Sequence, residues 1–166
     1  MYFRESEPVG RYDEDTSYQG PPFGMAVALP AGVVAAAIAA LEALALVITA
    51  IAAAYLLHRA LEKAKSMGIG VAWAEQKFMQ AFNWVLTQAK SAIRALRDTI
   101  EKAGKQRLPP QCDNVVRLLA QHLATLEAKL LSPNFANRAA WLEELKSSID
   151  AARRVLNVFI NECLKA

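Results

Sequence analysis

The stretch Met25–Leu57, MAVALPAGVVAAAIAALEALALVITAIAAAYLL, is thirty-three residues long and carries a single charge, Glu42. A bilayer core needs about 20 apolar residues at 1.5 Å of rise each, and this run exceeds that requirement. It reads as one transmembrane helix. From Ala31 to Leu57 there are twelve Ala against eleven Leu, Ile or Val. Those eleven favour insertion by about 3 to 6 kcal/mol, and a central carboxylate costs about 3. The margin is small, so the rival expectation is a helix buried in a protein assembly, or one shielded by a carrier before it enters a bilayer.

At 3.6 residues per turn Glu42 shares a narrow face with Ala35, Ala39, Ala45 and Thr49, while Leu41, Leu44, Val47, Ile48 and Ile51 point mostly elsewhere. Small residues let helices approach closely in lipid, and an ionisable group in a span turns toward protein or a water-filled path. This face is the candidate for packing against another span. Its acid serves either as a protonated or hydrogen-bonded link, or as part of an ion pathway.

Charge divides the chain. Residues 1–24 hold two basic and five acidic side chains, a balance of −3, and residues 58–166 hold seventeen basic and ten acidic, a balance of +7. The opening segment has no basic start followed by an apolar core, so it is not read as a signal peptide. Its Gly and Pro residues mark a polar tail. Tyr2, Phe3, Tyr12, Tyr18 and Phe23 give that tail aromatic side chains for docking on a partner or sitting at the headgroups. His58, Arg59, Lys63 and Lys65 follow the apolar stretch directly. By the positive-inside rule the tail lies outside and the larger part in the cytoplasm, or in the matrix for an organellar protein.

Three domains follow: a tail over 1–24, a transmembrane helix with its extension over 25–67, and a helical part over 68–166. Gly68 and Gly70 break the first helix. A second, from about Val71 to Ala103, repeats Met79, Leu86, Ile93 and Ile100, with Phe82, Ala89, Leu96 and Ala103 between. A third, capped by Asp113, carries Val116, Leu119, Leu123, Leu126 and Leu130. A fourth starts near Asn134 behind Ser132 and Pro133 and runs to Leu164. Its seam is Phe135, Leu142, Ile149, Leu156 and Cys163, with Leu145, Ala152 and Phe159 between. The fold class is all-α: a single transmembrane helix followed by an antiparallel three-helix, coiled-coil-like bundle.

One short helix cannot cover two long ones. The start of the second helix, with Trp73, Phe78, Phe82 and Trp84, is therefore a candidate partner contact, either under the extension of the first helix or against another subunit. Lys90, Arg94 and Arg97 form a basic stripe that reads as a solvated face with weak attraction for anionic headgroups.

Catalytic signals are missing. His58 and His122 are far apart, and neither HExxH nor CxxC occurs. Gly68 and Gly70 make only G-x-G, without a preceding strand. No cofactor, metal, nucleic acid or small-molecule substrate is expected. Cys112 and Cys163 are expected to stay unpaired, because helix rises offset them by about 16 Å and the cytoplasm is reducing. The expected protein is thus a non-enzymatic membrane subunit or scaffold whose partners are lipid, other subunits or copies of itself. The alternatives are a delivered pore-forming protein of toxin or effector type, and a membrane-anchored adaptor or immunity-type protein.

Overall fold

The computed structural model describes residues 31–164, and every element in that range is helical. The expectations for the tail and for residues 25–30 lie outside the described residues. In order come α1 (Ala31–Ser66), α2 (Ala72–Gly104), α3 (Cys112–Leu131), α4 (Arg138–Phe159) and a π-helical turn, Ile160–Leu164. Among the described helices α1 is the one long and apolar enough to cross a membrane.

Ala and Leu, the strongest helix formers, dominate α1 and carry it for 36 residues, or about 54 Å, without a break. Its end is a Schellman motif. Ile69 N–H donates to the Ala64 carbonyl at 3.0 Å and Gly68 N–H to Lys65 at 3.1 Å, with Gly68 at φ 69°. That left-handed conformation is free to glycine and costs other residues.

α2 packs on α3, and α3 on α4. Arg97 of α2 pairs with Glu127 of α3, and Lys129 of α3 pairs with Glu144 of α4. The α4 seam is as the periodicity required: Leu142, Leu145, Ile149, Ala152, Leu156, Phe159 and Cys163 are all buried. On α3 the full burial is narrower, at Cys112, Leu119 and Leu126.

Three expectations need correction. On α2 the buried stripe includes Phe78, Val85, Ala92 and Thr99 beside the expected Phe82, Ala89, Ile93, Leu96 and Ala103, while Met79, Leu86 and Ile100 are only half-buried. At three of the four heptad positions the buried residue is the one before, because neighbours 100° apart on the helix share an edge of the inward face and the seven-residue repeat is the same for both. The buried Thr99 hydroxyl donates to the Ala95 carbonyl at 2.9 Å.

The helix starts also differ. α3 begins one residue before Asp113, which sits in the first turn and makes no side-chain cap. There its charge still complements the positive end of the helix. α4 begins at Arg138 rather than Asn134. Asn134 Oδ1 accepts from the N–H groups of Ala136 and Asn137, each at 3.0 Å, and this local turn competes with helix until Asn137 accepts from Ala140 N–H at 3.2 Å. Phe135 accordingly lies before the helix and is 58% exposed.

Candidate helix-packing site and partner surfaces

Burial on α1 follows a heptad. Val33, Ala40, Val47, Ala54 and Leu61 recur every seven residues, with Ala37, Leu44 and Ile51 between them, and all are buried. Glu42 lies roughly 160° around the helix from Ala40 and Leu44, given 100° per residue. It is exposed, as are Ala35, Ala39 and Thr49, and Ala45 is half-buried. The same outer side carries Ile38, Leu46 and Leu56 at 44%, 51% and 68% exposure. The helix is therefore apolar on both sides, with one covered and the other open.

Toward its C-terminal end α1 is tied to the other helices. Tyr55 donates its hydroxyl proton to Glu143 Oε2 of α4 at 2.7 Å. The His58 ring lies 5.6 Å from that of Phe78 on α2, and Leu61 is fully buried one turn on. Ile51, Ala52, Tyr55 and Leu56 share a shallow cavity with Glu143 and Lys146.

Of the aromatic candidates on α2, Phe78 and Phe82 belong to the chain's own interior. Both are fully buried, 5.7 Å apart, and Phe82 continues to Phe135 at 5.4 Å and Trp141 at 5.3 Å. Phe78 packs under the extension of α1, one of the two placements expected. Trp73 and Trp84 remain outside at 68% and 41% exposure, and the Lys77 ammonium stands 5.7 Å from the Trp73 ring centroid.

Arg138, the first residue of α4, closes this cluster. Its guanidinium makes a two-pronged contact with Glu75 at 2.5 and 3.3 Å and lies 4.4 Å above the Phe78 ring. The hydrogen bond from Arg138 holds the Glu75 carboxyl below its usual range. Partial burial opposes that effect, and the Arg138 charge adds to it. Sequence reasoning missed both this fork and the Tyr55–Glu143 bond. Their partners are 63 and 88 residues apart, beyond the reach of any helical periodicity.

Cys112 and Cys163 form a disulfide, with Cα atoms 6.0 Å apart. This corrects the expectation of unpaired thiols. Cys112 is the first residue of α3 rather than part of the preceding loop, and it is buried at 1% exposure together with Cys163. The i→i+5 bonding of the final turn also gives less axial advance than an α-helical turn, which reduces the offset.

In the basic stripe Arg97 is neutralised by Glu127, whereas Lys90 and Arg94 have no acidic partner among the described residues. No three His, Cys, Asp or Glu side chains converge on an ion-sized site among the described residues. Comparison with protein families, with curated proteins and with solved structures finds no match to this chain.

Proposed function

We propose that the protein is a non-enzymatic, single-span membrane subunit that docks other subunits through its helical part. The observation that carries this reading is the continuity of α1. Its first twenty residues, 31–50, are apolar enough to cross about 30 Å of hydrocarbon and leave one apolar side open, and the same helix runs on without a break into residues 51–61, which meet α4 and α2 through Tyr55–Glu143 and His58–Phe78. A span joined this way holds its helical domain at a set orientation. Short turns and the Arg97–Glu127 and Lys129–Glu144 pairs support an antiparallel, coiled-coil-like bundle of α2, α3 and α4. The exposed face with Ala35, Ala39, Glu42 and Thr49 is the proposed contact with another span, or with a second copy, and the positive flank supports a cytoplasmic bundle.

Native mass after extraction in mild detergent tests this. A complex containing other chains, released by detergent and not by alkaline wash, is the expected result; release by alkaline wash refutes the span. Glu42→Gln leaves that assembly intact if a neutral acid suffices at the contact.

Two observations favour a second reading, in which the protein is delivered with α1 shielded and inserts later. Val33 to Ala54 already bury one side of α1 in the folded chain. The Cys112–Cys163 disulfide also belongs to an oxidising compartment rather than a reducing cytoplasm. A homo-oligomer without other chains, soluble before it meets lipid and able to depolarise liposomes, is the outcome that selects it. Altered conductance in Glu42→Gln then assigns the acid to the pathway.

A further inference from the structure

The turn joining α1 to α2 concentrates exposed apolar side chains. Met67, Ile69 and Trp73 are 61%, 53% and 68% exposed within seven residues, and positions 65–70 are all exposed. The Schellman end at Gly68 projects the turn beyond both helix ends. Lys63, Lys65 and Lys77 rim it, and residues 59–77 hold four basic and two acidic side chains, of which Glu75 is already taken by Arg138.

We propose that this turn is a lipid-contacting tip that docks on an anionic bilayer surface. Trp is the side chain that settles at the headgroup level, with its ring in the acyl boundary and its N–H toward water. Lysines on its flanks extend to the phosphates, each strengthening attachment roughly fivefold near an anionic surface. A protruding turn has no groove to hold a peptide, whereas a bilayer deforms around it. A second copy is a poor occupant, because its own Lys63, Lys65 and Lys77 meet like charges.

The tip goes beyond the membrane span proposed above and is separable from it. Sixteen residues of continuous helix, about 24 Å, lie between Ala50 and Ser66. A helix crossing the bilayer over 31–50 therefore holds the tip clear of that bilayer's headgroups. Alongside that span, lipid at the tip is contact with an opposing membrane.

The test mixes the full-length chain with phosphatidylcholine vesicles carrying brominated acyl chains, with and without phosphatidylglycerol, and reads tryptophan quenching. Expected is a quenched component that requires phosphatidylglycerol, disappears in Trp73→Phe and persists in Trp84→Phe. Ile69→Asp then weakens vesicle binding by about tenfold or more. The proposal is overturned if Trp73→Phe leaves the quenching unchanged, if brominated lipid never quenches the folded chain, or if Trp73 emission shifts with protein concentration in the absence of lipid, which would identify a second copy as the occupant. Protease protection of residues 1–24 in the same samples reports the span separately: an unprotected tail with Trp73 quenched removes the span and keeps the tip, and the reverse removes the tip.

Discussion

Replacing both Cys112 and Cys163 by Ala removes a crosslink that closes a loop of 51 residues. In the chain-entropy description the crosslink restricts the unfolded chain by about 14 cal/mol/K for a loop of this length, or about 4 kcal/mol at 25 °C. Both side chains are buried, and Ala keeps the site apolar, so little packing is lost beyond two sulfur atoms. The expected cost is 3 to 5 kcal/mol, enough to lower the melting temperature by roughly 10–20 °C in a domain of this size. Urea unfolding of the full chain in mild detergent, followed through Trp141 in the aromatic cluster, measures it. The reduced native protein should unfold at the same midpoint as the double variant, because both lack the same constraint. Two thiols alkylated in the native, unreduced chain, or a double variant within about 1 kcal/mol of the parent, would refute the assigned bond.

Other perturbations read other parts of the fold. The Glu75 carboxyl is held low by Arg138, so the stability the pair confers is fully present above the unfolded carboxylate value of 4.5 and is lost as pH falls through the lower folded value. Arg138→Met should flatten that acid limb; at 38% exposure of Glu75 the pair contributes about 1 kcal/mol, measurable by a double-mutant cycle with Glu75→Gln. Gly68→Ala meets no neighbouring atom but forces a side chain into the left-handed region, and a thermal melt should show a loss of about 1 kcal/mol. Phe82→Ala, which opens a cavity between Phe78, Phe135 and Trp141, should cost 3 to 5 kcal/mol by urea unfolding, whereas Trp84→Ala should cost less than about 1.

Local features were legible in the sequence and contacts across helices were not. Helix number among the described residues, the break at Gly68, the proline turn before α3 and the α4 seam from Leu142 to Cys163 follow from propensity and seven-residue spacing, whereas Phe135 falls outside that seam. The α2 seam is ambiguous in the sequence because Phe78, Val85, Ala92 and Thr99 repeat every seven residues just as Met79, Leu86, Ile93 and Ile100 do, and spacing does not choose between them. Asn134 defeated the α4 start because capping and local turns use the same side-chain oxygen. On α1 the period was hidden. A helix apolar all round shows no polar boundary from which a buried side can be read, so the Val33–Leu61 stripe emerged only from the folded chain, while the face shared by Glu42, Ala35, Ala39 and Thr49 could be drawn from angular spacing alone. Tyr55–Glu143 and Glu75–Arg138 join positions whose proximity depends on how whole helices cross.

Between Val33 and Met67 there is neither glycine nor proline, so α1 has no hinge. Bending a helix without such residues distorts its own hydrogen bonds, and the segment moves as a rod. At a length of about 54 Å, a tilt of roughly 10° at one end displaces the other by about 9 Å. The Tyr55–Glu143 bond and the His58–Phe78 contact sit on that rod, and α4 and α2 are at their other ends. Because the buried stripe runs from Val33 to Leu61 along that same rod, α1 leaves its covered side only as one piece, and Tyr55 and His58 leave α4 and α2 with it.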